Sequence, residues 1–155
     1  MKEVERIANQ LSRAISGEAW HGPAVLELLK DVTATQASTR PVAGAHSIWE
    51  LSLHIDAWLR ACGQRLAGER AQLTDAEDWP GVNNSDDEAW QQMREAIKQA
   101  HDELAVAILA LEDSRLDEPI LNGMSSVYVT LHGAIQHSLY HAGQIAILKK
   151  ALTEG

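Results

Sequence analysis

The chain has 155 residues, of which 45% are hydrophobic, and its formal net charge is −9. This length suits a single domain over residues 1–155, and the hydrophobic content is too high for a disordered chain. The negative charge repels phosphate backbones, so no nucleic acid partner is expected. No segment approaches the roughly 18 apolar residues of a membrane span. The mixed-charge start, residues 1–6, lacks an apolar signal sequence, which predicts a cytoplasmic protein.

Apolar residues recur at three- and four-residue steps through most of the chain, which predicts an all-α fold. The first helix is expected to bury one face over residues 4–15 and to end at Gly17. Pro23 suits the first position of a short extra helix that continues to about Val32. A loop is predicted over about residues 33–45, where Thr, Ser, Pro and Gly are frequent.

The second long helix begins at a capping box. Ser47 is followed three residues later by Glu50, and this pair caps the first turn of a helix by reciprocal hydrogen bonds. The apolar stripe that follows extends to about Gly68. An acidic segment over about residues 69–84 is predicted to be a loop.

The third and the last long helix are predicted from similar signals. Ser85 and Glu88 form a second capping box and predict the start of the third long helix. A further loop over about residues 113–126 precedes a last helix from about Val127 to Leu152. Four long helices joined by long loops predict a four-helix bundle. Loops of this length often cover functional sites.

Two histidines lie on the face of the last helix that must be buried. His137 and His141 are one helical turn apart among apolar neighbours. A buried imidazole nitrogen without a partner costs about 1–3 kcal/mol, and a divalent cation bound by both rings would satisfy that need. The alternative is a pair of core histidines bonded to backbone carbonyls or buried water. The spacing alone leaves both interpretations open.

Two further histidines are candidates for a third ligand. His54 lies at the border of the apolar stripe of the second long helix, where a cavity-facing ligand would be placed. His101 lies at the centre of the apolar face of the third long helix, a better buried position. Position alone does not choose between them. The other histidines are expected to be solvated: His21, His46 and His132.

Two polar residues are candidates to support this site. Glu50 lies one turn before His54 and could orient its ring, although the capping box already explains a glutamate there. Gln144 lies one turn after His141 and could hydrogen-bond a water on the metal. The only cysteine, Cys62, excludes an internal disulfide and is expected to be a small buried hydrophobic residue.

Three stretches resemble one known family. Residues 44–58, GAHSIWELSLHIDAW, are similar to the second-helix motif of DinB-like proteins. Residues 137–145, HSLYHAGQI, look like the last-helix motif of that family. Residues 18–23, EAWHGP, resemble its first-helix junction, so the resemblance extends over most of the chain.

The resemblance implies a four-helix bundle, often dimeric, in which three histidines hold a metal, commonly nickel or zinc. Carried over to this sequence, the ligands are His54, His137 and His141. The resemblance therefore favours His54 over His101, which matches no ligand position and is assigned to the core. It implies no DNA binding, in agreement with the negative charge. A homodimer is expected.

Three histidine ligands leave a coordination position open, which is typical of a catalytic site. A metal there can activate water or bind a thiol as thiolate. Because thiol-dependent transferases resemble this family, the expected function is transfer of a low-molecular-weight thiol to a small-molecule electrophile. A metal-dependent hydrolase is the alternative, and a non-catalytic metal-binding module or stress-related dimer is the third. An enzyme would need a cleft lined by the loops around Trp79 and Met124.

Overall fold

The expected all-α fold is confirmed by the computed structural model, which describes residues 1–153. Over that range the helices are α1 (Glu3–Ile15), α2 (Val25–Leu29), α3 (Ala34–Ser38), α4 (Ile48–Leu66), α5 (Asp75–Asp78), α6 (Asp87–Leu109) and α7 (Val127–Thr153). A 3-10 turn over Asp113–Asp117 separates the last two. The predicted domain includes Glu154 and Gly155, which lie outside the described residues. None of the helices within residues 1–153 has the length and apolar character needed to cross a bilayer.

The four long helices α1, α4, α6 and α7 form the bundle. Helix α4 packs against α6 and α7, and α1 packs against the same two helices. Each helix contributes fully buried side chains to the shared core, such as Leu11, Ile55, Leu104 and Ile145. Burial of one such side chain contributes about 1.5–3 kcal/mol, so the apolar periodicity of each helix fixes the face that it turns inward.

The starts of α4 and α6 test the two capping predictions. Ser47 Oγ accepts a hydrogen bond from the backbone N–H of Glu50 at 3.2 Å, and the Glu50 carboxylate accepts from the Ser47 N–H at 2.7 Å. The capping box of α4 is therefore confirmed. At α6 the cap is Asp86, whose carboxylate accepts from the Ala89 N–H at 2.8 Å. The prediction of Ser85 was wrong, because the adjacent carboxylate is an equally favoured cap and is the group that bonds the first turn.

Two of the predicted loops contain short helices. Thr33 and Gln36 form a capping box that starts α3, and the backbone N–H of Thr74 is bonded by Glu77 at the start of α5. These helices span one to two turns, too short for the apolar periodicity on which the sequence prediction relied. Helix α5 packs against α4 and determines what covers the site described next.

Candidate metal centre

Helices α4 and α7 bring three imidazole rings together. His54 comes from α4, and His137 and His141 come from adjacent turns of α7. The Nε2 atom of His137 lies 2.9 Å from Nε2 of His54 and 3.1 Å from Nε2 of His141. One nitrogen from each ring lies within 4.8 Å of the other two. The rings therefore converge on a common point at the contact between the two helices.

The outer nitrogens of two rings fix where their lone pairs point. His54 Nδ1 donates to the backbone carbonyl of Asp78 at 2.6 Å, and His141 Nδ1 donates to the amide oxygen of Gln144 at 2.6 Å. A neutral imidazole carries one hydrogen, so Nε2 of both rings is an acceptor. A hydrogen on His137 Nε2 can satisfy only one of them. At least one buried lone pair thus faces the meeting point without a partner.

This donor set fits a divalent transition metal. A metal–nitrogen bond of about 2.0–2.1 Å places neighbouring ligand nitrogens roughly 3.0–3.4 Å apart. The two Nε2 separations, 2.9 Å and 3.1 Å, are close to that range. Neutral imidazole nitrogens suit zinc and nickel, and the oxygens bonded to Nδ1 of His54 and His141 hold those rings in the ligand tautomer.

The two histidines of α7 are held in the neutral form that a metal requires. Burial lowers the pKa of His137 to about 4, and the neighbouring His141 and His54 rings add to that effect. Burial also lowers the pKa of His141. Because neither ring takes up a proton near pH 7, protons do not compete with a metal for their lone pairs at that pH.

We expect the metal-free protein to lose stability as the pH falls from about 7 to about 4. The unfolded chain protonates His137 near the ordinary pKa of about 6.5, whereas the folded protein does so at about 4. The unfolded state therefore binds more protons in this interval and is favoured as the pH falls. Urea unfolding in EDTA across this range measures the effect. His137→Gln should flatten the pH dependence of the free energy of unfolding between about pH 7 and pH 5. Most carboxylates titrate below this interval and contribute little to it. An unchanged slope in the variant would contradict the assignment.

Trp79 covers the His54 ring of the cluster and lies edge-on to His141. Its indole is stacked between two imidazoles, with ring centroids 3.7 Å from His46 and 3.8 Å from His54, and with interplanar angles of 7° and 4°. His46 is exposed, as expected, but it also belongs to this stack. The carboxylate of Asp78 accepts a hydrogen bond from Trp58 Nε1 at 2.6 Å. The α5 segment is thereby attached to α4 directly above the site.

The residue that orients the His54 ring is one that the sequence did not indicate. The carboxylate of Glu50 bonds to the Ser47 N–H and pairs with Arg40, so Glu50 does not orient the His54 ring. Asp78 provides that contact instead. No spacing rule connects it to His54, because it reaches the ring from a separate short helix.

Three other expectations are settled by the surroundings of the side chains. His101 is buried, as expected, with Nε2 3.0 Å from Ser12 Oγ and Nδ1 2.9 Å from the Asp102 carboxylate, on the α1 side of the bundle. Cys62 is buried, as expected, and burial raises the pKa of its thiol to about 11. His132 is half-buried, so the expectation that it is solvated holds in part, but its Nε2 is inaccessible and unpaired within residues 1–153.

Gln144 contacts the site through His141, whose Nδ1 donates to the Gln144 amide oxygen. We expect Gln144→Leu to weaken Ni²⁺ or Zn²⁺ binding about 10–100-fold, because His141 loses the acceptor that holds its ring and tautomer. Titration calorimetry measures the affinity. Gln136→Leu is the matched control, since Gln136 is exposed on the same helix. Equal affinities in the two variants would show that Gln144 plays no part.

A groove of about 320 Å³ opens beside His137, between α4 and the first half of α7. We call it the α4–α7 groove, lined by Trp58, Arg65, Val129, Thr130, Gly133 and His137, together with Cys62, Ser125 and Ala134. The ring centroids of Trp58 and His137 are 5.9 Å apart. The cleft expected between the loops around Trp79 and Met124 is thus only partly observed. Trp79 covers the site, whereas Met124 packs against the core and Ser125 lines the groove.

The fold and the site together define a helical bundle with a three-histidine cluster between its second and last long helices. The sequence matches the model of the DinB superfamily over residues 19–145, and the chain belongs to that superfamily. It is similar to the crystal structure of a conserved protein from Enterococcus faecalis, with a TM-score of 0.74 and 17% identity, covering 100% of this chain and 99% of that chain. This likeness concerns the fold alone. No protein with a curated description matches the sequence.

Proposed function

We propose that His54, His137 and His141 bind one divalent metal ion, either nickel or zinc. The observation that carries this proposal is the convergence of three Nε2 atoms, with separations of 2.9 Å and 3.1 Å, while Nδ1 of two rings is bonded to protein oxygens. Membership in the DinB superfamily supports it. Glu50 has no role in this proposal, and Gln144 positions His141.

We propose further that the protein is a metal-dependent enzyme that transfers a low-molecular-weight thiol to a small electrophile. A bound divalent metal supplies the positive charge that favours the deprotonated form of a thiol. The chain contributes the three imidazoles that hold the metal, the Trp79 ring that covers His54, and the α4–α7 groove that admits a molecule beside His137.

The nearby carboxylates favour thiol transfer over hydrolysis. The carboxylate of Asp78 is bonded to Trp58, and that of Glu50 is paired with Arg40, so neither is free to act as a general base. The metal must lower the pKa of water from about 15.7 to about 7 to generate a nucleophile at neutral pH. A thiol with a pKa of about 8.5 requires much less assistance.

The test is a set of assays on the protein loaded with Ni²⁺ or Zn²⁺. Cellular thiols are combined with aryl halide and epoxide electrophiles, and product formation is expected only with metal and with His137 intact. Metal-dependent ester hydrolysis without a thiol would replace this proposal by the hydrolase alternative. A stoichiometric metal with neither activity would favour the non-catalytic module.

A homodimer is also proposed, from superfamily membership and from the outer face of α7. Tyr140 and Ile147 are each 66% exposed there, and these apolar side chains suit a partner surface. Sedimentation velocity at micromolar concentration is expected to give the mass of two chains, and a monomer would contradict the proposal. The cytoplasmic location stays a prediction.

A further inference from the structure

We infer that the α4–α7 groove binds a small, largely apolar molecule that carries one carboxylate, and that Arg65 holds this carboxylate. The identification of that molecule as the electrophilic substrate rests on the function proposed above. The binding itself follows from the groove and does not require the reaction.

Within residues 1–153, Arg65 is a cation without an acidic partner, in a chain whose net charge is −9. Its Nε donates to the backbone carbonyl of Ala71 at 2.9 Å, which fixes the side chain. Its two Nη atoms have no hydrogen-bond partner, and no carboxylate pairs with it, among residues 1–153. The two Nη atoms of a guanidinium match the two oxygens of a carboxylate, so this end of Arg65 is prepared for a bidentate anion.

Trp58 connects Arg65 to the metal centre. The guanidinium carbon of Arg65 lies 5.4 Å from the centre of the Trp58 ring, and the same ring lies 5.9 Å from that of His137. The indole N–H is bonded to Asp78, which holds the ring in place. One indole therefore forms a continuous apolar wall from the guanidinium to the imidazole. A molecule anchored at Arg65 extends along this wall toward His137.

The charge of the groove favours a carboxylate over a phosphate. Arg65 is the only cationic side chain among the residues that line it, and most of the remaining surface is apolar, including Val129 and Ala134. The hydroxyl of Thr130 already donates to the Ser126 carbonyl at 3.0 Å. One guanidinium balances one negative charge, whereas a doubly charged phosphate would require further donors and would be opposed by the net charge of −9.

Gly133 leaves open space at the groove wall on α7. A Cβ atom built at this position meets no heavy atom within 4 Å, so the backbone admits a side chain that would occupy the groove. Gly143 lies on the same helix, is also open around its Cβ position, and does not line the groove. The two glycines therefore provide a blocking variant and its matched control.

The experiment measures binding of 3-phenylpropionate and of its uncharged amide, 3-phenylpropionamide, to the metal-loaded protein by titration calorimetry. We expect Arg65→Gln to weaken binding of the acid at least about tenfold, because a charge-assisted bidentate contact is lost. The amide should bind more weakly than the acid and should not respond to this substitution. Gly133→Leu should abolish binding of the acid, and Gly143→Leu should leave it unchanged.

Equal affinity of the acid for Arg65→Gln and for the unmodified protein would overturn the inference, and so would absence of binding at millimolar acid. Circular dichroism of each variant identifies loss of folding, and Gly133→Leu tests the groove independently of Arg65. Metal content is measured on the same samples. Retained metal without acid binding would refute this inference alone. If the protein takes up no metal but still binds the acid through Arg65, the inference is supported and the proposed function is refuted.

Discussion

Replacing His137 or His141 by alanine is expected to abolish stoichiometric metal binding. Each ring supplies one of the three Nε2 atoms that converge between α4 and α7. Removing a direct ligand should cost more than the roughly 10–100-fold that is typical for a group supporting a ligand. After equilibration with Ni²⁺ or Zn²⁺ and gel filtration, elemental analysis should find about one ion per unmodified chain and almost none in either variant.

His101→Ala is the matched control for this experiment. It removes an imidazole that is as buried as those of His54 and His141, since each of the three residues has a relative exposure of 5%. His101, however, contacts Ser12 and Asp102 rather than the cluster. This variant should retain its metal. Full metal content in His137→Ala would reject the ligand set, and loss of metal from a folded His101→Ala would promote the rival histidine.

Replacing Trp90 by alanine is expected to lower the free energy of unfolding by about 3–5 kcal/mol. Trp90 is buried at the start of α6, with its ring centroid 5.0 Å from that of Trp49. Its Nε1 donates to the backbone carbonyl of Val32 at 2.7 Å, which joins α6 to the end of the α2 segment. The substitution leaves both a cavity and a buried acceptor without its donor. Urea unfolding followed by circular dichroism measures the change.

Two further variants separate the contributions of Trp90. Trp90→Phe keeps most of the ring but loses the donor, so we expect an intermediate cost of about 1–3 kcal/mol. Trp20→Ala removes the same type of side chain from a position that is 100% exposed, and its effect should stay within about 0.5 kcal/mol. If Trp90→Ala were no less stable than Trp20→Ala, the packing of α6 against the α2 segment would be refuted.

The long helices were predictable because each must bury one face. The stripes of α1, α4, α6 and α7 repeat over several turns, and the capping box at Ser47 adds a local signal for the start of α4. The neighbouring positions of His137 and His141 follow from helix geometry alone. The short helices α3 and α5 lack a repeating stripe, so a sequence-based reading assigns them to loops.

The choice of His54 over His101 was not accessible to arguments from burial. Both rings are 5% exposed, and both lie on helices that pack against two other long helices. What distinguishes them is the neighbour that each ring faces, which is α7 for His54 and α1 for His101. That information is in the packing of the bundle, and for this sequence it was supplied in advance only by the family motif.

The backbone hydrogen bond to His54 has a consequence for how this protein tolerates change. Every amino acid carries a carbonyl, so a point substitution at Asp78 leaves an acceptor for Nδ1 in place. A shift of the α5 backbone would instead displace that carbonyl and the Trp79 ring together, because the two residues are adjacent in the chain. We therefore expect the alignment of the His54 ring to depend on the position of the α5 backbone, which the Asp78–Trp58 bond and the Trp79 stack hold in place.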